Sequence, residues 1–405
     1  MSSPIEALFA QALGLEAPWQ VVRISFSESE KKLDIYLDFP RGSRFTCPKC
    51  GRKDVTAYDT HDKSWRHLNF FQHQAYLHAP EPRVNCPACG VKNVKLSWAR
   101  PVSGFSLLFE ALIMMLATDM PVAAIARLLG EHDTRIWRVI RHYVDEARKQ
   151  EVYLDTHRIG IDETSRKRGH HYVSLFVDFD QSKVIFATEG RSKKVIGQFS
   201  NDFHDHGGDP DLVREVCCDM SPAFIEGIEH CLPNARITFD RFHVMKIMNE
   251  AVDKVRREEQ KEFPALKKSR WIWLKNAENL TVTQQERFEY LFQLNLKTAQ
   301  AYQIKLNLRQ LWKLPLRDAM QYLLNWITWA LTSGLEPVME AARTILRHWE
   351  GIVAFAESRI SNGILEGINS LVQAARNKAR GYRTVEYFIT MIYLIAGNLN
   401  FRLPT

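Results

Sequence analysis

A chain of 405 residues has room for two to four structural units, and 45% hydrophobic with 25% charged residues excludes disordered, fibrous and collagen-like classes. No window holds the roughly 18 consecutive apolar residues of a membrane span, and the N-terminal MSSPIEALFAQALG lacks the basic start and apolar run of a secretory signal, so a cytoplasmic protein with no membrane partner is expected. The formal net charge of +7 favours a polyanionic partner, and residues 41–100 alone carry 11 Lys and Arg against 4 Asp and Glu, which places the surplus in one N-terminal region.

Residues 5–13 read as a short helix, and residues 19–27 and 32–39 as alternating strands. Cys47-Pro-Lys-Cys50-Gly and Cys86-Pro-Ala-Cys89-Gly follow. In each, two thiols three apart with Gly after the second let the backbone turn and present both sulfurs on one side. Four such sulfurs suit one structural tetrahedral Zn²⁺. The seven cysteines are an odd number with four in Cys-x-x-Cys pairs, a usage that fits metal binding in a reducing compartment better than disulfides. Residues 64–78 alternate like a hairpin that brings the knuckles together. With four cysteines available, His61, His67, His73 and His78 are expected at the surface or facing DNA rather than as ligands.

Residues 105–118 form an apolar helical run. Pro121 then opens a second helix, Gly130 closes it, and Asp133 or Thr134 caps a third reaching Arg148, a helix-turn-helix pattern. Ile136, Trp137, Ile140, Tyr143 and Val144 make its buried stripe. Arg135, Arg138 and His142 fall on another face, where a helix docked in a major groove needs its contacts. An ordinary helical hairpin with a solvated basic face is the alternative.

Residues 158–190 read as a β-meander with strands at 159–161, 171–177 and 184–188. The first is expected to end in Asp162 where it leaves the core. A helix at 193–203, a strand at 212–219 ending in Asp219, a helix opened by Ser221 and Pro222, and a strand at 235–240 ending in Asp240 come next. Three strands, helix, strand, helix, strand is the order of a ribonuclease-H-like mixed α/β core. Residues 241–358 are helical in composition and hold six of the ten tryptophans (Trp271, Trp273, Trp312, Trp326, Trp329, Trp349), expected as core. A minority reading lets residues 267–275, with Arg270, touch nucleic acid. Ser361 or Asn362 then caps a helix running to about Arg380. On it Glu366 and Asn369 share a face, and Glu366 lies between glycines in an apolar turn, a poor place for an acid unless it faces a cleft. Arg376, Lys378, Arg380 and Arg383 lie beyond.

In order, the Cys-Pro-x-Cys knuckles with Trp98-Ala-Arg100, the helix-turn-helix, GIDE at 160–163, CCDMSPAF at 217–224, FDRFHVMK at 239–246, SNGILEGIN at 361–369 and ARNKARGYR at 375–383 resemble the ISL3-type DDE transposases of bacterial insertion sequences. The resemblance implies a multidomain α+β chain: a zinc-finger DNA-binding module (1–100), a helix-turn-helix (101–150), a ribonuclease-H-like catalytic core (151–240 and 359–405) and a helical insertion (241–358). Asp162, Asp219 and Glu366 would be the catalytic triad holding two Mg²⁺ or Mn²⁺ ions, with Asp162 bridging both, because hard divalent ions take oxygen ligands. Asp240 rivals Asp219 as the second acid. Otherwise Asp240, His243 and Asn369 would support the ligands from behind, while Arg135, Arg138, His142, Arg376, Lys378, Arg380 and Arg383 would touch DNA. The implied activity is metal-dependent cleavage at the element's terminal inverted repeats followed by transfer of the freed 3′-hydroxyl to target double-stranded DNA. A homodimer or larger assembly, nucleoid-associated in a bacterial cytoplasm, would carry it out. A ribonuclease-H-fold nuclease without strand transfer and a DNA-binding regulator derived from a transposase are the alternatives.

Overall fold

The structure is a computed structural model that describes residues 3–167, 169, 171–275, 277–358 and 363–403. It divides into two compact units, one reaching Ala147 and joined by a short stretch from Asn400, the other Arg148–Leu399.

In the first unit, α1 (Pro4–Ala12) opens with a capping box, the Ser3 hydroxyl accepting from the Glu6 N–H and the Glu6 carboxylate from the Ser3 N–H. Six strands follow: β1 (Gln20–Ser27), β2 (Lys32–Asp38), β3 (Arg44–Phe45), β4 (Val55–Phe70), β5 (His73–Cys86) and β6 (Gly90–Asn93). They form one sheet in the order β1-β2-β5-β4-β3, with β6 also on β5. The expected hairpin is present and longer than its sequence signal, since β4 and β5 pair from Ala57↔Val84 to Phe70↔His73. β2 joins it in parallel. Alternation on β2 buries Leu33, Ile35 and Leu37 beside Trp19, Trp65 and Trp98. Trp98 meets the other two indoles edge-on, at 4.7 Å and 5.8 Å between ring centroids. His78 ties three strands together, its Nδ1 2.7 Å from Ser64 Oγ on β4 and its Nε2 2.6 Å from Asp34 Oδ1 on β2.

The histidines between the knuckles depart from expectation. Only His61 is exposed. His73 is buried, and His67 lies against Ser106 Oγ at 2.8 Å with its pKa lowered to about 4, chiefly by burial. The long β4–β5 hairpin turns these side chains inward.

Three helices complete this unit: α2 (Leu107–Asp119), α3 (Val122–Leu129) and α4 (Asp133–Arg148). Gly130 closes α3 in the left-handed region at φ 68°, where a side chain would also press on Gln74. Ile136, Trp137, Val139, Ile140, Val144 and Ala147 form the buried face of α4. Tyr143 is only half-buried and donates to Glu110 Oε2 at 3.1 Å.

The second unit contains β7 (Arg158–Lys167), β8 (His171–Asp178), β9 (Lys183–Glu189), α5 (Lys193–Asp205), β10 (Glu215–Cys218), α6 (Pro222–Cys231) and β11 (Arg236–Phe239). Their sheet runs β11-β10-β7-β8-β9. β7, β8 and β9 are the antiparallel meander, whereas β10 is parallel to both β7 and β11. β7 does not end at Asp162. It stays paired with β8 as far as Lys167↔His171, so Asp162 lies mid-strand opposite Leu175.

Eight helices carry the chain onward: α7 (Arg241–Glu259), α8 (Arg270–Leu274), α9 (Val282–Phe292), α10 (Lys297–Leu308), α11 (Leu316–Leu331), α12 (Glu336–Arg347), α13 (Trp349–Ser358) and α14 (Gly363–Lys378), before α15 (Val385–Ala396). Trp273 and Trp326 are core, and Trp312 and Trp349 pack against it. Trp271 and Trp329 are exposed instead, at 59% and 38%. Both rings turn partly to solvent, which residue type alone does not foretell. Among the described residues no helix is long and apolar enough to cross a membrane.

Candidate catalytic and metal sites

The four thiols of Cys47, Cys50, Cys86 and Cys89 lie within 4.8 Å of one another. Cys50 Sγ and Cys86 Sγ are 3.6 Å apart, close to the roughly 3.8 Å edge of a tetrahedron with Zn–S bonds of about 2.3 Å. Each knuckle turns on its glycine, Gly51 at φ 72° and Gly90 at φ 68°. Backbone N–H groups of Cys50 and Lys49 hold the Cys47 thiol down at about 6, while hydrogen bonding to Cys50 leads the causes that push Cys89 up to about 12. Sulfurs this close resist ionising together, and a dication removes the conflict. The donor set therefore fits zinc.

The acidic site is built on the central strand of the second unit. Asp162 accepts from the Glu163 N–H at 2.7 Å and from the Asn369 amide of α14 at 2.5 Å. Asn369 Oδ1 is buried with no hydrogen-bond partner, an orphaned acceptor beside a carboxylate. Helix α14 lies along β7: Gln373 Nε2 donates to Thr164 Oγ1 at 2.6 Å and Ser165 O at 3.0 Å, and Arg376 also donates to Ser165 O. Gly160 permits this approach, since a Cβ there would stand 2.6 Å from Phe179 Cζ and 2.9 Å from Leu365 Cδ2. Gly160→Ala is accordingly expected to destabilise the protein by about 1–3 kcal/mol through overpacking, read as a lower thermal midpoint. An unchanged midpoint would show that the strand and helix part without cost.

Asp219 follows β10, the parallel neighbour of β7, and accepts from the Ser221 N–H at 2.9 Å. Asp240 follows β11, is 5% exposed and caps α7 through the Phe242 N–H at 2.9 Å, with His243 Nδ1 3.1 Å from its other oxygen. The hydrogen bond to Asp240, aided by the charges of Asp240, Asp219 and Asp162, raises the His243 pKa and favours its imidazolium form. Burial raises Asp162, opposed by the Glu163 N–H, His243 and Asn369. Glu163, which the sequence reading did not single out, is pushed up to about 7 by burial and then by the charge of Asp219. Its neighbours in the GIDE motif gave no sign of this, because the proximity arises across strands.

Asp219 and His243 line one cleft of about 300 Å³ with Lys246, Glu250 and His348. Glu366 is exposed and lines a second cleft of about 750 Å³ with Arg241 and Phe242, so the acid does face a cleft. Its carboxylate is not clustered with those of Asp162 and Asp219. Among the described residues, the four cysteines are the one group of three or more candidate metal ligands within 4.8 Å. The caps expected at Ser361 or Asn362, with Arg359, lie outside the described residues.

Of the basic residues expected at DNA, Arg138, Lys378, Arg380 and Arg383 are exposed. Arg135 instead pairs with Glu131, donates to Gly104 O at 3.3 Å and lies over the Phe105 ring at 4.2 Å. His142 is half-buried, which lowers its pKa. Arg141, exposed one turn from Arg138, was missed.

The family model described as the ISL3 DDE transposase matches residues 159–392, more than half of the chain. The chain belongs to the ISL3 transposase family. Two further models place the helix-turn-helix domain of the ISL3 transposases at residues 94–144 and the zinc-finger of transposase IS204/IS1001/IS1096/IS1165 at residues 43–89. The transposase for insertion sequence element IS1557 of Mycobacterium tuberculosis (strain CDC 1551 / Oshkosh) is 28% identical over 390 residues, covering 87% of this chain and 86% of its own length. That for IS1001 of Bordetella parapertussis is 27% identical over 400 residues, covering 94% and 96%. The multidomain α+β organisation of this transposase, with a zinc-finger and a helix-turn-helix ahead of the transposase domain, agrees with the reading of its sequence.

Proposed function

We propose that this transposase binds the terminal inverted repeats of its insertion sequence and cuts and joins DNA strands at a divalent-ion site formed by Asp162, Asp219 and Glu366. The observation that carries the reading is the contact between Asn369 and Asp162. It docks α14 on the central strand, leaves Asn369 Oδ1 without a partner, and comes from the turn after Glu366. The mixed sheet with β7 at its centre and β10 parallel beside it supports a ribonuclease-H-like core from residues 151–240 and 359–405, with residues 241–358 as a helical insertion. Residues 1–100 and 101–150 would be the zinc-binding and helix-turn-helix DNA-binding domains.

Mg²⁺ or Mn²⁺ fits this set by donor chemistry, since carboxylates and an amide oxygen are hard ligands. When bound, two such ions activate the attacking oxygen and stabilise the leaving one. The chain's own contributions follow from its contacts. Asn369 fixes the rotamer of Asp162, and the Glu163 N–H holds the opposite oxygen. Asp240 orients His243 so that a positive charge faces the acids, where it offsets their repulsion and can steady an incoming phosphate. Glu366, one turn before Asn369 on α14, would supply the third carboxylate. Arg138, Arg380 and Arg383 are available to DNA phosphates. Arg376 and Lys378 complete the proposed DNA-facing set, without Arg135 and His142, whose side chains are engaged or half-buried within the first unit. Two element ends must be held together, so the working form would be a homodimer or larger, acting at the nucleoid in a bacterial cytoplasm.

The test incubates the protein with Mg²⁺, DNA carrying the element's ends and a target plasmid, and sequences the junctions. Joined ends are expected. Cut but unjoined ends would make the protein a nuclease, and binding without cutting a regulator.

A further inference from the structure

The cleft beside Glu366 has a chemistry of its own. Arg241, Lys275, Lys305, Arg309 and Lys313 all line it, against the carboxylates of Glu278 and Glu366. Arg309 pairs with Glu278 at 3.2 Å. The other four cations pair with no carboxylate among the described residues. Lys305 is the extreme case: it is 1% exposed, and among the described residues its Nζ donates to the backbone oxygens Trp273 O at 2.8 Å and Leu274 O at 3.2 Å and lies 4.9 Å over the Tyr302 ring. A buried cation without a counter-charge is costly, and an anion entering the cleft would relieve it. Desolvation and the nearby charge of Arg309 already lower its pKa to about 8.

Phe242 adds an aromatic face. It lines the same cleft and is 60% exposed, although Val244, Met248 and Val252 of the helix it opens are fully buried. Unpaired cations tracking a groove, with an open aromatic ring among them, are what binding of a single nucleic-acid strand uses: phosphates meet the charges and a base stacks on the ring. At about 750 Å³ the cleft has the size of a pocket for a small ligand, enough for one or two nucleotides. A double helix is gripped from outside, through its grooves and backbone. Position agrees with this. Arg241 and Phe242 line the cleft holding Glu366, and His243, the next residue, lines the one holding Asp219.

From these features we infer that the Glu366 cleft receives the unpaired end of a DNA strand, with its phosphates on Arg241 and Lys313 and a base against Phe242. The inference rests on the DNA-processing reading above and adds to it the form in which DNA enters: one strand separated from its partner next to the acids.

The test measures binding of the full-length, zinc-loaded protein by fluorescence anisotropy, with Ca²⁺ in place of Mg²⁺ and no chelator. The probes are a blunt duplex bearing the element's terminal repeat and the same duplex with an oligothymidine tail. Wild type is expected to bind the tailed probe about tenfold more tightly. Phe242→Ala and the double variant Arg241→Ala/Lys313→Ala should each remove that preference while leaving blunt-duplex affinity unchanged, and Phe242→Tyr should keep it. The double variant should also lower the salt dependence of tailed-probe binding by roughly one charge or slightly more. Equal affinity of wild type for both probes, or a preference that survives both variants, overturns the cleft's role alone. Failure to bind even the blunt duplex overturns the DNA-processing reading and this inference together.

Discussion

Asp219→Asn is expected to lower Mg²⁺-dependent DNA cleavage by about a thousandfold or more, a barrier increase of roughly 4 kcal/mol, while affinity for the element's ends stays within a few-fold of wild type. The substitution keeps the shape of the side chain and the oxygen that accepts from Ser221 N–H, so the fold has no reason to change. It removes one of the negative charges that hold a dication. Asp162→Asn should behave alike, and its thermal midpoint without metal should not fall, because a buried carboxylate beside Asp240 becomes neutral. Cleavage assays run beside binding isotherms decide the matter. Undiminished cutting by Asp219→Asn would remove that residue from the site and turn attention to Asp240. Asp240 is already committed to Phe242 N–H and His243, which makes it the weaker candidate.

The second large effect concerns zinc. Metal analysis of the purified protein should find one zinc per chain, and Cys86→Ser should abolish it. Three remaining ligands around a site built for four lose most of the affinity, and the pull that keeps Cys89 ionised goes with it. The sheet of the first unit retains a core independent of the metal, with Trp65, Leu77 and Val84 fully buried. Local opening between residues 43 and 93 is therefore expected rather than global unfolding, seen as faster amide exchange there. Affinity for the element's ends should fall by tenfold or more, because this region carries most of the surplus positive charge. Zinc-free protein with unchanged exchange and DNA binding would reject the assignment.

What the sequence made legible is local chemistry. The Cys-Pro-x-Cys-Gly knuckles set both ligand identity and turn geometry within five residues. Strand order in the second unit followed from runs of Ile, Val and Phe punctuated by turns. Less accessible was whatever depends on a partner distant in sequence. β7 continues past Asp162 because β8 supplies a matching edge as far as His171, which no feature of residues 162–167 announces. Arg135 sits at the right helical spacing for a groove, but Glu131 and Phe105 occupy it. Trp271 and Trp273 differ only in which side of a short helix they share with the core. Glu163 and the cationic cleft escaped notice for the same reason. Their neighbours come from other strands and helices, the cleft's from residues 241, 275, 305 and 313, and single-sequence periodicity reports only the nearest turns.

The contact of Leu365 and Asn369 with the strand bearing Gly160 and Asp162 has a bearing on synthesis. The ribosome makes the zinc-finger and helix-turn-helix first and the docking helix some two hundred residues after the strand it completes. A nascent or prematurely terminated product would thus carry a reader of the element's ends with no means of breaking them. No strand cutting is accordingly expected of any product that stops before α14.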